Sequence, residues 1–136
     1  MSEPTIRRAL EAHLYAMSPS LPCVWQNKTP PTGFDANKAH QKIFLLPVTP
    51  RSYGLTEQTT LHSGIFQVNL CYPTGIGTTD IEARAKAIQE HFKGAKLTLD
   101  GVTVQVRGMP AIAAPISTSP YVVPVSIRYQ SITKEA

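Results

Sequence analysis

With 136 residues, 42% of them hydrophobic and only 16% charged, the chain has the composition of a folded domain with a core and not of a disordered segment. Thirteen basic residues against nine acidic give a net charge of +4 spread along the chain, without the Lys/Arg run of a nucleic-acid-binding arm. Two cysteines, Cys23 and Cys71, are too few for a disulfide framework and read as free thiols, and no apolar run approaches the roughly 20 residues that span a bilayer.

Ile6, Leu10, Leu14 and Met17 recur at helical spacing, which predicts an amphipathic helix over residues 4–17, stopped by Ser18-Pro19. The same segment has no signal-peptide core, so the protein is expected to work without crossing a membrane. Residues 21–26 form a short extended piece whose Trp25, the single tryptophan, is large enough to anchor a core by burying about 150–250 Å². Residues 27–40 lack periodicity and contain Pro30-Pro31, the marks of a surface loop.

A strand follows at residues 40–49. Its side chains from Ile43 to Val48 are apolar in both directions, which predicts cover on both faces, with Pro47 at a bulge or at the exit from pairing. Residues 50–62 are polar and too many for a tight hairpin turn, so a long loop is expected there. From residue 64 to 72, Phe66, Val68, Leu70 and Tyr72 alternate with Gln67 and Asn69, the period of a half-buried strand. Pro73 ends it, and Pro-Thr-Gly-Ile-Gly turns the chain toward a helix. Thr79 and Glu82 have the spacing of a capping box, Asp80 and Glu82 suit the first turn, His91 and Lys93 suit the last, and Gly94 is the stop. Ile81, Ala85, Ile88 and Phe92 make one side of this helix apolar, so it needs a sheet to lie on.

Residues 96–99 and 102–107 read as a hairpin joined at Asp100-Gly101, a dipeptide suited to a type I′ turn, with Val102, Val104 and Val106 facing inward. Residues 108–120 break all periodicity with three prolines yet keep Met109, Ile112 and Ile116, and an apolar loop wants a partner. Residues 121–130 alternate again as a last strand whose Pro124 suggests an edge or a bulge, and the tail after residue 130 is expected to fray. The order predicts a single α+β domain over 1–136: a four-stranded, mainly antiparallel sheet with two helices on one face and long loops. A right-handed crossover through the second helix would make the sheet mixed, and the residues leave that choice open.

Catalytic or ligand chemistry is not expected. His13, His40, His62 and His91 stand far apart in sequence, and none has a second ligand at metal-binding spacing, so no metal or cofactor site is predicted. Gly75-Ile76-Gly77 precedes a helix, but the third glycine and the Lys-Ser/Thr pair of phosphate loops are missing, and Asp80 and Glu82 would repel an anion. His62 and Ser63 are neighbours on a strand and point to opposite faces, which removes them as a base–nucleophile pair.

Several stretches together resemble one family. VWQN near the start, LLPVTP at a strand end, GIFQVNLCYPTGIG leading into an Ala-rich helix with HFKG, GVTVQV, and the closing YVVPVSIRYQ are similar to the small tail terminator, or tail completion, proteins of long-tailed bacteriophages and prophages. The most specific part is the G-I-F-Q-V-x-x-x-Y-P-x-G-x-G run. The resemblance implies a non-enzymatic structural protein that forms a ring, commonly six-fold, at the head-proximal end of the tail tube. There it stops tube polymerisation and joins the tail to the head. The implied partners are further copies of itself, the tail tube protein and the head–tail connector. DNA would pass through the ring without sequence-specific binding, and the protein would occupy the host cytoplasm during assembly and the virion tail afterwards. A ring needs two different sticky surfaces on each subunit. The candidates are Arg51 and Tyr53 on the polar loop and Met109 and Ile112 on the apolar one. Competing readings are another head–tail joining or minor tail protein, a small nucleic-acid-binding module, and a small enzyme or ligand-binding domain.

Overall fold

A computed structural model describes residues 2–17, 21–28, 35, 38–53, 59–118 and 121–134. In chain order the elements are α1 (Ser2–Tyr15), β1 (Cys23–Val24), β2 (His40–Tyr53), β3 (Thr59–Tyr72), α2 (Thr79–Phe92), β4 (Lys96–Leu99), β5 (Val102–Val106), β6 (Ala111–Ile112), β7 (Ser117–Thr118) and β8 (Tyr121–Lys134). They build one sheet in the order β1-β2-β3-β8-β5-β4, with β6 and β7 also paired to β8. The expected four strands are therefore too few. Strands of two residues carry no readable alternation, and three of the additional strands are of that length.

Alternation along β3 sets the two faces of the sheet. Phe66, Val68 and Leu70 are fully buried and stand beside Leu45, Ile43 and Gln41 of β2 and Ile127, Val125 and Val123 of β8. Both helices lie on that face, because Ile6, Leu10 and Leu14 of α1 and Ile81, Ala85, Ile88 and Phe92 of α2 join the same cluster. Helix α1 covers β4 and β5, while α2 covers β8, β3 and β6. Each fully buried Leu, Ile or Phe removed from water contributes about 1.5–3 kcal/mol, so this face supplies the main folding drive. Trp25 is only half-buried and packs at the rim of the cluster near Tyr15, with ring centroids 6.4 Å apart.

The sheet is mixed, but not through the second helix. The parallel pair is β1 with β2, and every other pairing is antiparallel. Two residues of β1 suffice because Gln26 extends their work: its Oε1 accepts from Leu45 N at 2.9 Å and from Arg7 Nη1 at 2.9 Å, which ties α1 to β2.

Several segments read from the sequence as loops are strands. β2 runs on to Tyr53 and β3 begins at Thr59, so the loop expected over 50–62 is largely the outer part of a long hairpin. A register shift between Val48 and Arg51 lets β2 pass Pro50 and resume pairing, with Arg51 opposite Leu61 and Tyr53 opposite Thr59. The bulge thus lies beyond Pro47, which itself stays paired opposite Gly64. Residues 108–120 are not free of structure either, since β6 and β7 pair with β8 in series after β5. Most of the expected 27–40 loop lies outside the described residues.

Pro124 was expected to mark an edge or a bulge, yet β8 lies in the interior of the sheet, paired with β3 from Tyr121 to Lys134 without a shift of register. Its carbonyl accepts from Ala113 N at 3.0 Å, so the position of the missing N–H also points toward the short β6–β7 side and the ladder with β3 loses nothing. Residues 131–134, expected to fray, complete the same ladder. Strand β2 is covered on one side only: Leu46 is 47% exposed and Val48 56%.

At α2 the residue before the first turn is Thr78, whose carbonyl accepts from Glu82 N at 3.0 Å and whose side chain makes no capping bond. The Thr79–Glu82 capping box is therefore not formed, because Thr79 is already helical. The Asp100-Gly101 turn matches expectation, with φ of 50° and 77° at the two residues, both positive as type I′ requires.

Candidate assembly surfaces

The side chains that could carry chemistry are placed apart. Among the described residues no group of three or more His, Cys, Asp or Glu side chains could hold a metal ion. His62 and Ser63 occupy successive positions of β3 and project to opposite faces. Cys23 and Cys71 are buried free thiols, and burial pushes both pKa values up, which leaves them protonated and unreactive. No helix among the described residues is long and apolar enough to cross a membrane.

Two polar features were not legible in the sequence. His13 of α1 and His91 of α2 stack with ring centroids 3.9 Å apart and planes 16° from parallel. Each Nε2 meets the other residue's carbonyl, at 2.9 Å from His13 and 2.7 Å from His91, so each imidazole donates from Nε2 and the pair clasps the ends of the two helices. Burial lowers the pKa of His13, and the neighbouring His91 ring lowers it further against the raising effect of the carbonyl bond. The second feature is Arg84, buried within α2; burial lowers its pKa, offset by nearby Tyr72 and Cys23. Its sequence position among Ile81, Ala85 and Ile88 was the available sign.

The four candidate contact residues fall in two places. Arg51 and Tyr53 sit near the free end of the β2–β3 hairpin and not on a loop. Met109, 48% exposed, and Ile112, 43% exposed, lie by β6, which pairs with β8 at Val125 and Ser126. Arg51 stands in register with Leu61 and Ile132, so about 20 Å of β8 separates the two places. They are two surfaces and not one site, and a head-to-tail assembly needs that separation.

A third surface is the face of the sheet that the helices leave open. Register places Lys42, Phe44, Leu46 and Val48 of β2, Ile65, Gln67 and Asn69 of β3, and Ser126, Arg128 and Ile132 of β8 on it. Ile132 is 54% exposed. Exposed Arg107, the residue after β5, donates its backbone N–H to Arg128 O of β8 at 2.8 Å, which sets the two arginines side by side. None of the eight strands contains an aspartate or a glutamate. The open face therefore combines aliphatic side chains with cations.

A groove of about 650 Å³ lies beside α1 and includes Arg7, Arg8, Glu11 and Lys28. Its charges are largely met within the chain: Arg8 Nη2 lies 2.8 Å from Asp100 Oδ2, and Arg7 Nη1 lies 3.9 Å from Glu11 Oε2.

Comparison with known proteins bears on these surfaces. The family model described as phage tail terminator protein matches residues 5–129. Three solved chains are similar to this one, and one of them superposes with a TM-score of 0.72 at 28% identity, covering 96% of each chain. No curated protein matches.

Proposed function

Since the chain belongs to the phage tail terminator family and so has a structural role in the phage tail, we propose that it forms a ring at the head-proximal end of the tail. There it stops polymerisation of the tail tube and offers the head–tail connector a surface, while DNA passes through without sequence-specific contacts. The partners on this reading are further copies of the chain, commonly six in all, the tail tube protein and the connector. Assembly would take place in the host cytoplasm.

The observation that carries the reading is the family match over nearly the whole chain. The geometry agrees with it physically. One face of the sheet holds the core, and the other presents exposed Leu46, Val48 and Ile132 without a covering element among the described residues. Such a surface suits lasting contact with a partner more than turnover of a small molecule. The hairpin end with Arg51 and Tyr53 and the β6 region with Met109 and Ile112 supply two further, separate contacts.

Complementation decides it. A phage lacking this gene should produce overlong or headless tails beside normal heads in electron micrographs, and the wild-type gene should restore virions. Arg51→Glu combined with Tyr53→Ala should fold normally yet fail to restore them. Normal virions without the gene would overturn the reading.

A further inference from the structure

The charges of this chain are sorted by element. Among the described residues, carboxylates occur in α1, in α2, at Asp35 and at the Asp100 turn, whereas the strands carry cations alone. On the open face Arg107 and Arg128 lie directly across from each other, an arrangement that repels unless an anion comes between or above them. Both are exposed, and the nearest cross-strand neighbour of Arg128 on its other side is Ile65, itself beside Leu46. Lys42 lies on the same face two strands over and four residues along, about 16 Å from Arg128 by strand geometry.

The outer side of α2 has the opposite character at a matching scale. Asp80, Ala83, Ala87 and Glu90 fall within one stripe of the helix, all exposed, with the two carboxylates about 15 Å apart along the axis and two small side chains between them. Lys86 flanks the stripe without standing in it.

Resting on the ring reading above, we propose that the helix-free face of the sheet docks a second copy of this chain, seating on the Asp80–Ala83–Ala87–Glu90 stripe of that copy's α2. Each subunit then presents the cationic sheet face to one neighbour and the acidic helix stripe to the other, a heterologous contact of the kind that closes rings. The alanines permit close approach to Phe44, Leu46 and Ile65, while the carboxylates meet Lys42 at one end and the arginine pair at the other. The mixture of aliphatic and cationic groups favours this occupant over nucleic acid, whose phosphates have no use for exposed leucine, isoleucine and valine.

Charge exchange tests the pairing. Sedimentation of the full chain, alone and with its tail tube protein, would compare wild type with an arginine variant that also exchanges the lysine (Lys42→Glu/Arg107→Glu/Arg128→Glu), with Asp80→Lys/Glu90→Lys, and with the five changes combined. All altered side chains are exposed, so thermal melts should coincide and a folding defect would be visible separately. Each one-sided variant should weaken self-association at least tenfold, and the combined variant should recover it, because attraction is restored at both ends of the contact with its sign exchanged. Wild-type association that survives the arginine changes would overturn this contact while leaving the ring intact. Losses that the combined variant does not repair would overturn it too. Loss of duplex DNA binding in the arginine variant, with association unchanged, would assign the face to nucleic acid instead. Absence of any wild-type ring under either condition would overturn the ring reading itself.

Discussion

The two faces of the sheet are built from the same strands and differ in nearly every other respect. On the covered face Phe66, Val68, Leu70, Ile43, Val125 and Ile127 are shielded from water by two helices. On the open face the neighbouring positions are Leu46, Ile65, Gln67, Ser126 and Arg128, and no described element lies over them as α1 and α2 lie over the other side. The covered face contributes stability through burial, and its substitutions should act on folding. The open face contributes little to the isolated fold, so its substitutions should act on assembly. A one-residue step along a strand therefore moves a side chain from one role to the other.

The largest effect should come from charge placed in the covered face. Ile88→Asp or Phe92→Asp puts an unpaired carboxylate among fully buried side chains, at a cost of several kcal/mol that rivals the stability of a whole domain. Circular dichroism should find either variant unfolded at room temperature, and a native melt would show that α2 does not pack as described.

Next in size is Gly64→Ala, in β3, where neighbouring atoms leave no room for a side chain. An added Cβ would stand 2.5 Å from Leu46 O, 2.8 Å from the Tyr129 hydroxyl and 2.9 Å from Pro47 Cα. Two of these atoms are backbone, so relief requires a shift of β2, at a cost of about 1–3 kcal/mol. A denaturant midpoint equal to wild type would contradict the close packing at this point.

A smaller, pH-dependent effect is expected at the helix clasp. Because the pKa of His13 is lowered from 6.5 in the fold, the unfolded chain binds more protons in the interval below 6.5. Its stabilising contribution is complete above that value and is lost as pH falls through it toward the folded pKa. Stability should therefore decline on acidification from pH 7 to 5, and His13→Gln should flatten that part of the profile in urea titrations. An unchanged slope would remove His13 as its source.

The smallest effects on stability should come from Thr79→Ala and Arg128→Glu. The first removes no capping bond and should stay within about 0.5 kcal/mol. The second alters an exposed side chain, so its melt should match wild type even where assembly fails. A loss near 1 kcal/mol for Thr79→Ala would mean that its hydroxyl caps the helix in solution.

Much of the covered face was determined by the sequence alone. Regular spacing fixes which side of a helix or strand is apolar, and so Ile6, Leu10, Leu14, Ile81, Ala85, Ile88, Phe92 and the alternation of β3 read correctly without coordinates. Asp100-Gly101 was equally legible because few dipeptides adopt two successive positive φ angles. The family resemblance also lay in the sequence and agrees with the family match. Tertiary structure decided the rest, because it depends on which backbone groups meet. Polar residues such as Thr59, Thr60, Arg51 and Ser52 become strand only because facing chains satisfy their hydrogen bonds, and Pro124 is tolerated inside the sheet only because its imide nitrogen faces the discontinuous β6–β7 side. The same applies to the sorting of exposed groups: the sequence spaces Arg107 and Arg128 twenty-one residues apart, and only the pairing of β5 with β8 brings their charges side by side.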